Sequence, residues 1–588
     1  MLRSRIALPL FWVALLACWV VPFLVAPHTY PIPTFYGEFA TAICWVGLSA
    51  TVLCLTVRSG MVLPRIVIAP MALVGVLLAQ LILATPLNPF FSFAAAVFLL
   101  GAIAACSLGA RSREMPGTVQ AVAIAVIIGG VATAGIEFLQ LFRVSGLPDT
   151  FFSGAPTGAG RRMWGNLNQP NHVATYLACG LAACLFLFQS NRSVRRLPLL
   201  LAISILLMGM ALTFSRITWL HIVVIAGGAG LAMGGSLRGP RRWVVVCVPL
   251  VSLAATYQLC NWLVAYANTL WHLGLPTSMG ERMQQGVGLR EFLWNHAWHI
   301  FLAHPWLGGG WGDYAWNQFV QTDVLGHVEM SMNAHNIVLD LLAKVGAVGL
   351  VAVALPFLGL MVALRKRRVT PTLGFLYSIA LVMVMHSMLE YPLHYLYFLL
   401  PFSFVLGYVD ERNLPFPSNG MSWVLVALIT VSGLLLASRI WVDYKSVERL
   451  YYAQSSPNGA QAELQRYQAS GQLLLVPYAS LAIANTAAMT RETAPIMAAL
   501  EHQAVQMYPG SGTVQRWAVA LAFQGKTDEA VHQVRRLRNQ YWMNYAEQST
   551  LLTTVCAQKI DGLGVFCTRL REEDLLVEVP VPVDRSSQ

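Results

Sequence analysis

The feature that most limits the fold of this sequence is a series of about thirteen apolar runs, each long enough to cross a lipid bilayer as a helix. They lie near residues 6–25, 39–57, 66–85, 90–109, 118–141, 172–189, 197–213, 217–234, 243–266, 335–364, 373–390, 392–409 and 421–440. In lipid, only helices and closed barrels satisfy every backbone hydrogen bond. We therefore predict an all-α fold, a polytopic transmembrane bundle of about 12–13 helices.

The composition agrees with a chain whose surface faces lipid. Hydrophobic residues make up 56% of the 588 residues and charged residues only 11%, whereas a soluble protein carries about 25% charged residues. The net charge of +11 does not indicate nucleic-acid binding, because the basic residues form short clusters between the apolar runs. No small-residue cleavage site follows the first run, so we expect it to be retained as a span.

The basic clusters alternate along the loops, which predicts how the chain is oriented in the membrane. The clusters are Arg3 and Arg5, Arg58 and Arg65, Arg111 and Arg113, Arg192, Arg195 and Arg196, Arg238, Arg241 and Arg242, and Arg365 to Arg368. Since positively charged loops stay in the cytoplasm, the N-terminus is expected there. With an odd number of spans, we predict a bacterial inner-membrane protein whose tail after residue 441 is periplasmic.

Two domains are expected from these patterns. Residues 1–441 form the transmembrane domain, which includes a large periplasmic loop at about 267–334 that is rich in Trp, Gly and His. Residues 442–588 are polar and form a C-terminal helical domain. A loop as long as that at 267–334 is usually functional or disordered, and its tryptophan content argues against disorder.

The tail contains a pattern typical of a helical hairpin. Apolar residues recur at helical spacing on both sides of Gly525, which would form the turn: Trp517, Leu521, Ala530 and Leu537. The stretch resembles the middle of a tetratricopeptide-type repeat, and a plain helical cap on the membrane domain is the alternative. Cys556 and Cys567 would lie in an oxidising compartment, where they either form a disulfide or stay free.

Uncommon polar residues gather at the outer ends of the spans. They occupy residues 165–172, Arg216, Arg282 and Arg290, residues 333–336 and residues 390–395. Each has a structural alternative, such as an interfacial helix start, a solvated loop charge, the aromatic belt or turn chemistry. Polar groups close to the membrane are costly and are usually functional or paired. Their joint occurrence on one side therefore predicts a functional site.

The residue types at this site indicate a phosphate-bearing substrate. Guanidinium groups match phosphate oxygens in two-point contacts and keep their charge, while a histidine of near-neutral pKa can take a proton from a hydroxyl. The sequence has no Walker-type loop, and its outer loops have no Asp-x-Asp pair. We therefore expect a lipid-linked diphosphate as substrate, with no metal and no cofactor.

Five stretches of the sequence resemble the O-antigen ligase superfamily. They read WGNLNQPNHVATYL, SRITWL, LREFLWNHAWHIFLAHPWLGGGWGDY, NAHNIVLDLLAKVGAVGL and LEYPLHYLYFLLPF. The GNLNQPNH and EYPLHYLYF segments are most similar to bacterial protein O-oligosaccharyltransferases of the PglL type. The resemblance covers residues 140–410 well. It implies en bloc transfer of an oligosaccharide from an undecaprenyl-diphosphate carrier to a Ser or Thr hydroxyl of a periplasmic protein, often a pilin.

The resemblance also implies roles for individual residues. The essential loop histidine of the family corresponds to His335, and its ligase arginines correspond to Arg216 and Arg290. Its substrate-binding glutamine and tyrosine correspond to Gln169 and Tyr391. We expect four neighbours to complete the substrate-binding set: Asn168, Asn336, Arg161 and Arg282. No metal ligands are predicted.

Other functions remain open at this point. The same donor site would serve an O-antigen ligase that modifies lipid A-core, or an O-antigen polymerase. A lipid or glycan transporter would favour charges along the membrane interior and inverted repeats, whereas the charges here gather at the outer interface. A non-catalytic scaffold built on the tail is a further alternative. We expect a glycosyltransferase that acts on protein hydroxyls.

Overall fold

The computed structural model describes residues 2–56, 62–190, 196–234, 240–276, 289–415, 419–453, 465–466, 469, 471 and 474–577. In these residues the regular structure is helical and no β-strand occurs, although one isolated bridge joins Pro64 and Asn413. The all-α prediction is therefore confirmed.

The first part of the chain contains fifteen helices among the described residues, of which all but two are apolar. They are α1 (Leu2–Leu24), α2 (Phe35–Thr56), α3 (Ile68–Leu83), α4 (Pro89–Ser112), α5 (Thr118–Leu141), α6 (Pro170–Ser190), α7 (Arg196–Leu212), α8 (Ile217–Gly234), α9 (Pro240–Trp271), α10 (Leu289–Ala303), α11 (Tyr314–Leu325), α12 (Ile337–Leu364), α13 (Pro371–Ser387), α14 (Leu396–Val409) and α15 (Asn419–Tyr452). Helices α10 and α11 occupy the region expected as the large loop.

The apolar helices correspond one by one to the apolar runs of the sequence. Ten helices of the described chain are long and apolar enough to cross a membrane, and α7, α13 and α14 are shorter apolar helices. The chain is a multi-pass membrane protein. Its placement in the inner membrane and its orientation stay predictions.

Seven helices follow α15 in the described part of the tail: α16 (Val476–Thr486), α17 (Ala494–Met507), α18 (Ser511–Phe523), α19 (Thr527–Gln540), α20 (Tyr545–Gln548), α21 (Thr550–Ala557) and α22 (Gly564–Glu572). Helices α18 and α19 form the expected hairpin, with Gly525 at a φ of 77° in the turn. Trp517, Leu521 and Leu537 lie in its buried core. Cys556 and Cys567 are joined by a disulfide. The relation to tetratricopeptide repeats stays a prediction.

The chain divides into two compact units. The first unit comprises residues 1–74, 97–286 and 352–439, and the second comprises 75–96, 287–351 and 440–588. The second unit resumes at Ile440, next to the domain boundary expected at residue 441, and it also takes in two earlier segments. The division at 441 stays a prediction.

Close helix contacts hold the first unit together. Gly407 of α14 lies so near α4 that a Cβ atom added to it would be 1.9 Å from the carbonyl oxygen of Cys106. Small residues at such contacts let helix backbones approach each other in a membrane. The rings of Phe23 and Tyr176 stack with centroids 3.8 Å apart, and the Tyr176 hydroxyl donates to the carbonyl oxygen of Trp19 at 2.6 Å. These contacts fix the start of α6 against the end of α1.

In the second unit, glycine residues allow α12 to bend where it meets the end of the α10 region. Gly346 interrupts α12 with a φ of 67° and a ψ of −169°. A Cβ atom on Gly346 would lie 2.3 Å from the carbonyl oxygen of Trp306, and one on Gly308 would lie 2.3 Å from the carbonyl carbon of Lys344. The short first segment of α12, before the bend, therefore packs directly on the chain around residues 306–308.

Candidate active site

In the first unit, three turns that the sequence singled out lie together. Gln169, before α6, donates from Nε2 to Oε2 of Glu390 at 2.8 Å. Asn171 donates from Nδ2 to Oε1 of the same carboxylate at 2.5 Å. Ser215, between α7 and α8, donates from Oγ to Oδ1 of Asn171 at 2.6 Å. These bonds join the turn before α6, the turn before α8 and the turn that carries Tyr391. We call Gln169, Asn171 and Glu390 the amide–carboxylate cluster.

The local sequence explains why Gln169 has a fixed position. The turn Gly165–Leu167 leads to Asn168, which has a left-handed φ of 54° that Asn tolerates better than most residues. Pro170 then begins α6, as proline often does at the first helical position. The Oε1 atom of Gln169 accepts from the backbone N–H of His172 at 2.8 Å. Gln169 therefore caps the start of α6, and Asn168 is exposed beside it.

Two adjacent arginines anchor the loop before this turn. Arg161 is almost fully buried, and its guanidinium donates to the carbonyl oxygens of Leu273, Gln140 and Leu141 at 2.7–3.0 Å. Arg162 donates from Nε to the carbonyl oxygen of Thr213 at 2.7 Å and from Nη2 to Oδ1 of Asn171 at 3.0 Å. Arg161 thus links the loop to the ends of α5 and α9. Its role in substrate binding stays a prediction.

The other predicted groups of the first unit lie next to the cluster in the sequence. Arg216 follows Ser215 directly, precedes the first residue of α8, and is partly exposed. Tyr391 follows Glu390 and is partly exposed. Its ring lies 5.9 Å from the ring of Tyr395 between centroids. Both residues therefore lie in turns at the ends of these helices, as the amide–carboxylate cluster does.

A buried set of possible ligands adjoins the cluster. One ligand atom each from His172, His386 and Glu390 lie within 4.8 Å of one another. The Thr175 hydroxyl donates to the carbonyl oxygen of Asn171 at 3.0 Å, so its oxygen accepts from Nδ1 of His386 at 2.7 Å.

Nε2 of His386 lies 3.8 Å from Oε2 of Glu390. Two imidazoles and a carboxylate can hold a transition-metal ion.

In the second unit, His335 lies in a segment that is held on both sides. Asp340 accepts from the backbone N–H of Ala334 at 2.9 Å and pairs with Lys344 at 3.1 Å. Lys344 donates to Oδ1 of Asn333 at 2.5 Å. His335 itself has a left-handed φ of 52° and is partly exposed. The buried ion pair thus fixes the residues just before His335.

Asn336 has a clear structural task at the start of α12. Its Oδ1 atom accepts from the backbone N–H groups of Val338 at 3.0 Å and Leu339 at 3.2 Å. It is therefore the N-cap of that helix. Arg290 lies in the first turn of α10 and is partly exposed. Arg282 lies outside the described residues.

Sequence reasoning left several residues of these networks unassigned. Glu390 lies in the segment 390–395, which the sequence predicts to be functional. The sequence feature that points to Glu390 itself is an acidic residue at the end of an apolar helix. Asn171 stood in the same turn as Gln169. The spacing of Asp340 and Lys344, four residues apart on an apolar helix, is the signal for a buried pair.

Several segments of this chain match known protein families. Residues 163–188 match the family described as protein glycosylation ligase, residues 201–354 match O-antigen ligase, and residues 375–555 match the C-terminal part of virulence factor membrane-bound polymerase.

Two similar relatives come from Acinetobacter baylyi. One, a general O-oligosaccharyltransferase, is 24% identical over 298 residues, which cover 48% of this chain and 50% of the relative. The other, a ComP-specific O-oligosaccharyltransferase, is 25% identical over 265 residues, which cover 43% and 45%. The matches therefore span about half the length of these relatives.

Proposed function

We propose that this chain, which belongs to the O-antigen ligase family and is of the PglL type, is an oligosaccharyltransferase that acts on proteins. The donor is an oligosaccharide on undecaprenyl diphosphate, and the acceptor is a Ser or Thr hydroxyl of a periplasmic protein such as a pilin. The observation that carries the proposal is the amide–carboxylate cluster beside Tyr391. Two of its members, Gln169 and Asn171, lie in the stretch that matches protein glycosylation ligases.

The proposed reaction is a direct displacement at the first sugar. The acceptor oxygen forms a bond to the anomeric carbon while the bond from that carbon to the diphosphate oxygen breaks. The hydroxyl proton passes to His335, and undecaprenyl diphosphate leaves with the electron pair. Attack from the face opposite the leaving group inverts the anomeric carbon. The donor is already activated, so no nucleotide is required.

Each charged or polar residue has a separate part in this proposal. Arg216 and Arg290 hold the diphosphate and stabilise the charge that grows on it, because guanidinium groups make two-point contacts with phosphate oxygens. Gln169 and Tyr391 position the donor by hydrogen bonds. Asn168, Asn336, Arg161 and Arg282 are proposed to bind the substrate as well. Positioning and charge stabilisation supply most of the rate, and the base adds about 10²–10⁴-fold.

The proposal requires these residues to lie on the periplasmic side of the inner membrane. Its support is the alternation of basic clusters, which assigns the turns near residues 169, 216, 335 and 391 to the outer side. The reaction as proposed uses no metal, since arginines take the place of a cation on the diphosphate.

A second candidate is transfer of the same glycan to another sugar, as an O-antigen ligase or polymerase would perform it. The match of residues 201–354 to O-antigen ligase and of residues 375–555 to a membrane-bound polymerase favours it. The donor site would be the same, and only the acceptor would differ.

The test is co-expression with a lipid-linked glycan pathway and a candidate pilin, in a host that lacks its own O-antigen ligase. We expect the mass of the pilin to increase by one glycan, and we expect His335→Ala to abolish the increase. His304→Ala, which changes an exposed histidine of the same unit, is the matched control and should transfer normally. Glycan on lipid A-core with an unmodified pilin would favour the second candidate.

A further inference from the structure

The hydrogen bonds of Gln169 fix which way round its amide lies. Its Nε2 group donates to Glu390, which accepts at 2.8 Å, and its Oε1 atom accepts from the backbone N–H of His172 at 2.8 Å. Turning the amide by 180° would bring oxygen against a carboxylate and NH₂ against an N–H group. Two hydrogen bonds, one of them charge-assisted, would become two repulsive contacts. The orientation is therefore determined at both ends.

The second amide of the cluster is held even more firmly. Asn171 donates to Glu390 through Nδ2, while its Oδ1 atom accepts from Arg162 at 3.0 Å and from Ser215 at 2.6 Å. Both oxygens of one carboxylate thus receive an amide N–H. Glu390 has only 8% of its surface exposed, so these bonds lie in a poorly hydrated environment where they orient strongly.

This arrangement leaves Gln169 with one N–H that no hydrogen bond uses within the described residues. We propose that Glu390 is a positioning residue that holds Gln169 as a one-way hydrogen-bond donor toward an oxygen of the diphosphate-linked donor. Phosphate and glycosidic oxygens accept hydrogen bonds and cannot donate them, so a fixed N–H suits them. The inference rests on the proposed function and assigns Gln169 to the donor substrate, not to the acceptor hydroxyl.

The charge on that oxygen grows as the diphosphate leaves. A fixed donor aimed at such an oxygen stabilises the transition state more than the ground state, because it needs no reorganisation. The role of Glu390 should therefore be seen mainly in kcat and in affinity for undecaprenyl diphosphate. The KM for the acceptor protein should stay unchanged.

The variant Glu390→Gln separates this role from simple packing. The new side chain has one oxygen and one NH₂ group. Its oxygen should go to Asn171, which Arg162 and Ser215 hold in place, and its NH₂ group should then face Gln169. The Gln169 amide turns over in part and presents its oxygen to the substrate. We expect kcat to fall roughly tenfold, in proportion to the fraction of correctly oriented Gln169 amide. The variant Glu390→Asp keeps a carboxylate and should lose less activity than Glu390→Gln.

The double variant Gln169→Glu with Glu390→Gln is the sharpest test. The carboxylate introduced at position 169 can accept from both the amide introduced at position 390 and the backbone N–H of His172, and a carboxylate at a helix start is favourable. The thermal stability lost in Glu390→Gln should therefore return. The donor N–H is gone, so transfer should fall by about 100-fold or more and undecaprenyl diphosphate should bind more weakly than to the wild type.

The outcomes separate the two proposals. Recovery of transfer together with stability in the double variant, or an unchanged kcat in Glu390→Gln, would overturn the role of Glu390. If the wild-type protein glycosylates no protein, the proposed function fails. Undecaprenyl diphosphate binding by purified full-length protein then still tests the donor assignment, which equal affinity in the wild type and the double variant would contradict.

Discussion

Asp340 and Lys344 form an ion pair inside the second unit, with 3.1 Å between Oδ2 and Nζ and side-chain exposures of only 2% and 3%. The pair is tied to the residues before His335 through the Ala334 backbone N–H and the Asn333 side chain. The rings of Trp311 and Tyr314 lie 5.4 and 5.7 Å from Nζ. A buried pair of this kind orders the segment that carries the proposed base.

Breaking that pair should disturb both stability and transfer. Asp340→Asn leaves a buried ammonium group without a charge partner, which typically costs about 3–5 kcal/mol. We expect a lower thermal unfolding temperature in detergent and a loss of glycan transfer. Asp340→Asn combined with Lys344→Met removes both charges and should regain part of the stability but not the position of His335. Full transfer by a folded Asp340→Asn protein would show that the pair does not position His335.

Replacing Arg216 by lysine tests the proposed phosphate contact. Lysine keeps the charge but presents a single ammonium group, which cannot make the two-point contact of a guanidinium. We expect kcat/KM for the lipid-linked donor to fall by about tenfold or more. A tenfold loss corresponds to about 1.4 kcal/mol of transition-state stabilisation. Arg491→Lys, at a largely exposed position in the second unit, is the control. Equal activity of Arg216→Lys and the wild type would show that transfer does not depend on a two-point contact from Arg216.

The pH dependence of the C-terminal helices should depend on Glu501. Burial raises the pKa of this carboxyl from 4.5 to about 7, although Arg516 lies 2.7 Å from it and acts in the opposite direction. Because the folded state binds the proton more tightly, this contribution to stability is present below pH 4.5 and is lost as the pH rises through 7.

The variant Glu501→Gln should lack that dependence. As the pH rises from 4.5 to 8, the free energy of unfolding of the variant should increase relative to that of the wild type by about 3 kcal/mol. Hydrogen exchange of α17 and α18, compared between the two proteins at each pH so that intrinsic exchange rates cancel, measures the difference. Parallel pH profiles for both proteins would show that Glu501 does not titrate in this range.

A chelator should leave glycan transfer unchanged if arginines alone support the diphosphate. The purified protein would be treated with EDTA, assayed, and analysed for bound metal. Inhibition that a divalent metal reverses would contradict the metal-free reaction. The set formed by His172, His386 and Glu390 would then be the first place to look, since its ligand atoms lie within 4.8 Å of one another.

The helices could be predicted from the sequence because apolar length and the backbone requirement in lipid leave few alternatives. The turn at Gly525 and the burial of Trp517 and Leu537 likewise follow from helical spacing. The division into two units could not be foreseen, since the second unit combines residues 75–96 and 287–351 with the tail. Those are contacts between distant segments, which periodicity does not reveal.

At the candidate site, residue types indicated which segments matter but not how they bond. Gln169 stood out in its turn, yet its partner Glu390 is 221 residues away. The Oδ1 atom of Asn336 caps the start of α12, and its role in substrate binding stays a prediction. A short polar side chain before a helix serves either purpose, so the sequence alone could not distinguish them.

The proposed function depends on the binding of a lipid diphosphate by the predicted site residues. The most direct measurement is photo-crosslinking with undecaprenyl diphosphate that carries a photoreactive group next to the diphosphate, followed by peptide mapping. We expect labelled peptides from both residues 163–172 and residues 333–336, with both labels reduced by unmodified undecaprenyl diphosphate. Labelling confined to one of these segments, or absent from both, would contradict it.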